Sequence, residues 1–199
     1  GLVSLEFSND LKEIGEWAFE GCVSLKAVQI PPSVTSLGMG AFYHCTALES
    51  VVIPTTLTNF NDRTFNGCRN LSAVYYLGSS CPSLGQYTFA DVSGTFGFYV
   101  KPSALSALQG IAFISDKVKD SFPYQQSSKY TTFSRSFDID FTTATGLKAY
   151  IAKESNGRTS VSLIPVTTAS AGTGLIIEAV PNTVYQLRLA DNAAHYDDN

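Results

Sequence analysis

Leucine recurs at Leu2, Leu25, Leu48 and Leu71, at an interval of 23 residues each time. The same interval joins Leu5, Val28, Val51 and Val74, then Phe7, Ile30, Ile53 and Tyr76. It also joins Leu11, Val34 and Leu57; Ile14, Leu37 and Phe60; Phe19, Phe42 and Phe65; and Cys22, Cys45 and Cys68. With one residue inserted after Tyr76, a weaker fourth copy follows through Cys81, Leu84, Phe89, Val92, Phe98 and Val100. A period of this length predicts a solenoid, because one coil cannot bury its own apolar face whereas stacked coils share a core. Each copy ends in a two-residue alternation of apolar side chains, the mark of a short strand. Stacking places these strands in a parallel sheet along one wall. Ile30-Pro31 and Ile53-Pro54 end the strand, since proline lacks the N–H that a ladder needs. The column Gly15, Gly38, Asn61 and Gly85 holds residue types that tolerate positive φ, and predicts a left-handed turn.

Past Val100 the period changes. Pro102-Ser103 reads as a helix start, and Leu105, Leu108, Ile111, Ile114, Val118 and Phe122 follow at three- and four-residue steps. Two short helices capping the open end of the solenoid are expected. The polar stretch 125–129 reads as a linker. From Tyr130 the chain turns to short apolar and β-branched runs, with candidate strands at 130–137, 147–153, 159–165, 174–180 and 184–189. Asn156-Gly157, between two of them, is a strong hairpin signal, and Gly172–Gly174 reads as a second hairpin. The predicted fold is mainly β with short helices. A solenoid of 23-residue repeats with its helical cap fills 1–124, a linker 125–129, and a small antiparallel β-sandwich 130–199.

The second copy runs Ile30-Pro31-Pro32-Ser33-Val34-Thr35-Ser36-Leu37-Gly38, then Ala41-Phe42, Cys45, Leu48 and Val51. It resembles the BspA-like leucine-rich repeat family, whose repeat reads roughly I-P-x-S-V-T-x-I-G-x-x-A-F-x-x-C-x-x-L-x-x-V. The resemblance covers residues 1–100 and departs at Asn61 and Thr64 in the third copy. It implies a secreted or surface-displayed protein of host-associated bacteria that binds a host protein or glycan rather than catalysing a reaction. The stretches 146–151 and 171–177 resemble a β-module found at the ends of surface proteins of gut Bacteroidetes.

Composition narrows the partners. Apolar residues make up 44% of the 199 and charged residues 15%, and 13 Lys and Arg against 17 Asp and Glu leave a net charge of −4. No basic stripe suits a phosphate backbone, so nucleic acid is not an expected partner. No apolar run approaches the ~18 residues of a spanning helix. The first residue is Gly and no signal peptide follows, which does not point to a cytoplasmic protein; for the secreted or cell-surface protein that the resemblance implies, a removed leader is expected.

Candidate chemistry is sparse. Cys22, Cys45 and Cys68 share a column with Val92, and Cys81 shares one with Leu11, Val34 and Leu57. Cysteine there serves as a small hydrophobe, and free buried thiols are expected. A bridge between neighbouring rungs, ~5 Å apart, is the alternative. No closely spaced pairs form a zinc motif, and no metal or cofactor is expected. His44 occupies the column of Gly21 and Gly67, where a turn at positive φ accounts for it. His195 lies in the polar tail. Asp138 and Asp140 alternate with Ile139 and Phe141, which predicts two carboxylates on a solvent face rather than a chelate. No nucleophile, metal-protease or phosphate-loop motif occurs, so no enzyme is expected. A hydrolase fragment or a two-carboxylate glycosidase is the minority reading.

The strand positions between core residues are more informative. Glu6, Gln29, Val52, Tyr75 and Tyr99 form one row, beside the small residues Ser4, Ala27, Ser50, Ala73 and Gly97. If both rows face outward, a trough of small side chains beside Val52, Tyr75 and Tyr99 suits an apolar or sugar face packed on aromatic rings. The alternatives are that the two tyrosines cover a domain junction, or that the whole chain is a spacer displaying something else.

Overall fold

A computed structural model describes residues 1–80, 82–109, 117–133, 135, 137–154 and 161–191. The chain divides into two compact units, Gly1–Lys119 and Asp120–Asn199.

The first unit is the stacked solenoid. In chain order its strands are β1 (Glu13–Ile14), β2 (Ala27–Gln29), β3 (Ser36–Leu37), β4 (Ser50–Ile53), β5 (Asn59–Phe60), β6 (Ala73–Tyr76), β7 (Ser83–Leu84), β8 (Gly97–Val100) and β9 (Val118–Lys119). They form two walls, a short-strand sheet β1-β3-β5-β7 and a longer one β2-β4-β6-β8-β9. Pairing is parallel throughout, and Val28, Val51, Val74 and Phe98 stand in one register. Leu25, Ile30, Val34, Leu37, Phe42 and Leu48 are buried, as are their counterparts Ile53, Leu57, Phe60, Phe65 and Leu71 in the next coil. The rings of Phe19, Phe42, Phe65 and Phe89 stack as a continuous column, with centroids 5.2, 5.4 and 5.6 Å apart. Side chains repeated every coil thus touch their own copies, and that contact holds the period in register.

Four expectations change. The segment around Glu6 joins no strand among the described residues; only Leu5 and Phe7 of its alternating side chains reach the core. Gly15, Gly38, Asn61 and Gly85 do not adopt positive φ. A Cβ on Gly38 would instead collide with the backbone of Gly15 and Glu16, and one on Gly85 with that of Asn61 and Asp62. Gly38 and Gly85 therefore hold glycine for close approach of coils, whereas Asn61 accommodates its Cβ and donates from Nδ2 to the Leu37 carbonyl at 2.7 Å. The left-handed turns lie further on, at Trp17, Gly40, Arg63 and Tyr87 and again at Gly21, His44, Gly67 and Asp91. The third change concerns the cap. It contains a 3-10 turn Pro102–Ala104 and one helical turn, α1 (Leu105–Leu108), with Ala104 and Leu108 buried. Ile111 and Ile114 lie outside the described residues, and Val118 is in β9, which pairs with β8.

The fourth change is the domain boundary. Ser121–Tyr124 is a strand of the second unit, so 125–129 is a loop within that unit and not a linker between domains. Phe122 and Tyr124 are buried, and the alternate residues Ser121 and Pro123 less so. Val118 and Phe122, four apart, satisfy both a helical step and a two-residue period, and in the fold the second won. The unit's strands are β10 (Ser121–Tyr124), β11 (Tyr130–Phe133), β12 (Ile139–Asp140), β13 (Lys148–Glu154), β14 (Val161–Val166), β15 (Thr168–Ala169), β16 (Leu175–Glu178) and β17 (Tyr185–Leu189). They build two antiparallel sheets, β10-β17-β12-β15 and β11-β16-β13-β14. Aromatic rings bridge them, with Tyr124 and Phe133 5.0 Å apart and edge-to-face. β13 and β14 pair antiparallel as the hairpin signal requires, with its turn, Asn156-Gly157, outside the described residues. Gly172, at positive φ, does turn the chain. It joins strands of different sheets, however, so no hairpin forms there.

Candidate functional site

The longer wall aligns Gln29, Val52, Tyr75, Tyr99 and Lys119 across five strands, and Ala27, Ser50, Ala73 and Gly97 beside them. Alternation along each strand sends valine and phenylalanine inward and this row outward. Gln29 is exposed, and Val52 and Tyr75 are half-buried. Tyr99 is not the exposed contact expected of it: it keeps only 6% of its surface. Its ring leans back over Gly97, where an added Cβ would stand 2.7 Å from Cζ. It stacks on Tyr75, with centroids 5.4 Å apart and 23° between planes, and the Lys119 ammonium lies 6.0 Å from its centroid. Burial pushes the Tyr99 phenol above its ordinary range. The missing side chain of Gly97 thus receives Tyr99, and the open part of the row is Gln29, Val52 and Tyr75 on one side of it and Lys119 on the other. Glu6 stands outside this ladder.

Cys81 lies outside the described residues, and the other three thiols pack in or against the core. Cys22, Cys45 and Cys68 are free. The Cys45 and Cys68 thiols each donate at 3.1 Å to a carbonyl of the preceding coil, Phe19 and Phe42 respectively. The contact with Cys45 and then burial push the Cys68 thiol far above the usual range, so it is neutral and no nucleophile. Among the described residues, no group of three His, Cys, Asp or Glu side chains is placed to hold a metal ion. Asp138 and Asp140 accept from separate backbone N–H groups, Ala171 and Thr142, at 2.8 Å each. His44 sits at φ 54° as its column required, and His195 lies outside the described residues.

The turn side carries, besides His44, four residues that column reasoning passed over. Trp17, Tyr43, His44, Arg63 and Tyr87 all sit on the turns. Trp17 meets Tyr43 edge-to-face at 5.5 Å, Tyr43 stacks on His44 at 4.0 Å, and the Arg63 guanidinium lies 5.6 Å over Tyr87. For Trp17, Arg63 and Tyr87 a signal was available, as large side chains in a column that holds Gly40.

In the second unit, Glu178 gathers four partners on one sheet face. It accepts from the Tyr150 and Tyr130 hydroxyls at 3.1 and 3.4 Å and pairs with Lys129 at 3.4 Å and Lys148 at 4.0 Å. The Tyr150 hydrogen bond above all holds its carboxyl below the usual range. A carboxylate held in that way suits a structural tie rather than proton transfer.

The sequence profile of the BspA type leucine rich repeat region matches in six copies across residues 1–119. The chain belongs to this family. Its solenoid is therefore a BspA type repeat, a fold that typically serves as a non-catalytic scaffold for protein interaction. A crystal structure of a leucine rich repeat protein from T. pallidum (TpLRR) is 38% identical, over 42% of this chain and 39% of its own, with a TM-score of 0.39. The present chain thus spans well under half of that protein. No curated protein matches. Among the described residues, no helix is long and apolar enough to cross a membrane.

Proposed function

We propose that this BspA type protein is a secreted or cell-surface binding module whose longer solenoid wall recognises a host protein or glycan. The observation that carries the reading is the row Gln29, Val52 and Tyr75. It is an exposed amide, a branched aliphatic and a half-open aromatic on adjacent rigid strands, beside small residues that leave their flanks clear. Such a row offers apolar area with one polar handle and little ordering cost, because the sheet has already set its geometry. The Tyr99 ring under Tyr75 fixes the orientation of that outer ring. A display spacer is the second reading, and the burial of Tyr99 favours it for that ring alone.

The test is binding of the full chain to arrays of glycans and extracellular-matrix proteins, compared with a Gln29→Ala/Tyr75→Ala variant of unchanged melting temperature. Loss of whatever the parent binds is expected. Equal binding by the variant removes the wall as the site, and no binding by either favours the spacer.

A further inference from the structure

On the turn side, the coils are joined by a backbone ladder that runs in one direction. Trp17, Phe19 and Gly21 donate their N–H groups to the carbonyls of Met39, Ala41 and Tyr43 in the second coil. Gly40, Phe42 and His44 donate to Asp62, Thr64 and Asn66, and Arg63, Phe65 and Gly67 to Gln86, Thr88 and Ala90. These nine bonds span 2.8–3.0 Å. The corresponding donors of the fourth coil are Tyr87, Phe89 and Asp91. Among the described residues, none of these three N–H groups has an acceptor. Among the described residues the two walls also end differently: the longer sheet continues past β8 into β9, whereas the short-strand sheet ends at β7. Beside the three donors lies a cavity of about 530 Å³, lined by Leu84, Gly85, Gln86, Tyr87, Phe89 and Ala90. Tyr87 stands at its rim, 59% exposed and at φ 58°, a costly conformation for a bulky residue.

We propose that this end of the stack binds a peptide segment of another polypeptide as a fifth rung. The ladder itself dictates the ligand chemistry. Three donors on alternate residues of a turn call for three acceptors of the same repeat and curvature, and a polypeptide backbone supplies one carbonyl per residue. A sugar or nucleotide has no such repeat. The rung's first position is restricted too. Gly38 and Gly85 are glycine because a Cβ would strike the preceding coil's backbone, and Asn61 fills the same place in the third coil, so an incoming segment carries glycine or asparagine where it crosses Gly85 and Gln86. Three residues on, the chain's own rungs place a small Ala41, Thr64 or Thr88 inward. The segment therefore carries Gly or Asn, then Ala or Thr three residues on, followed by an apolar residue that enters the cavity between Leu84 and Phe89.

The probe is the chain's own second-coil turn, residues 36–44, as an acetylated and amidated peptide. Its Met39, Ala41 and Tyr43 carbonyls are acceptors of the matching register within the solenoid. In the free full chain, amide exchange at Tyr87, Phe89 and Asp91 is expected to be fast, and at Arg63, Phe65 and Gly67 slow. Peptide at ~1 mM, a concentration suited to one short segment, should shift the first three amide resonances and slow their exchange at least ~10-fold. The same peptide carrying Gly38→Val should leave them unmoved. Protection of the three amides without peptide, no shift with it, or an equal effect of the valine peptide would each overturn the proposal.

Discussion

The six-membered ring of the Trp17 indole occupies the space where a side chain at Gly40, one coil further on, would begin. The His44 imidazole does the same over Gly67. In both turn columns a large ring thus roofs the bare backbone of a glycine one coil further on. That complementarity operates between coils, and it explains why the repeat tolerates tryptophan and histidine at positive φ.

Gly40→Ala should destabilise the solenoid twice over, through a φ of 62° and through collision with the indole. The backbone part alone is worth about 1–3 kcal/mol. In a Trp17→Ala background only that part should remain. Urea unfolding of the four-member mutant cycle measures the difference, and strict additivity of the two changes would contradict the packing account.

Phe42 has phenylalanine rings stacked on both sides and no exposed surface. Phe42→Ala should cost about 3–5 kcal/mol, read as a fall in the urea midpoint. A loss below ~1 kcal/mol would mean that the column collapses around the gap.

The thiols should differ in reach. Cys22 is half-buried, while Cys45 and Cys68 are fully enclosed and hydrogen-bonded. Under native conditions an alkylating reagent should label Cys22 first, and Cys45 and Cys68 only after unfolding. Peptide mass mapping of a time course decides it.

Tyr99→Ala should lower stability by about 3 kcal/mol, because the ring fills the space above Gly97 and stacks on Tyr75. Tyr75→Ala, removing a half-buried ring, should cost clearly less. Equal losses would place both tyrosines in the core and leave the proposed wall without its aromatic.

Glu178 sets an acid limb. The Tyr150 hydroxyl and Lys129 hold its carboxyl below the ordinary range. A lowered folded-state value contributes stability above the unfolded carboxyl's titration and loses it as pH falls through the folded one. Glu178→Gln should therefore melt below the parent at neutral pH and converge with it under acid, in a series of thermal melts across pH 2–7.

The parallel sheet, the buried columns and the turn at His44 were legible because each rests on a side chain repeated at one interval. The glycine column was legible as glycine but misread in cause. Positive φ and close approach both exclude a Cβ, and only the distance from Gly38 to the Glu16 backbone separates them. Tyr99 was assigned to the correct row and the wrong environment, since alternation tells which way a ring starts and not where it comes to rest. Phe122 fell to the wrong unit because its spacing from Val118 suits two periods.

The chain's order of residues determines the coil, its period and the identity of the inward side chains, because burying a repeated apolar face leaves stacking as the one solution. Tertiary structure alone decided which outward rings stay open and which backbone donors remain unspent. Those depend on contacts between coils, where a missing Cβ at Gly97 or Gly40 matters as much as the ring that fills it.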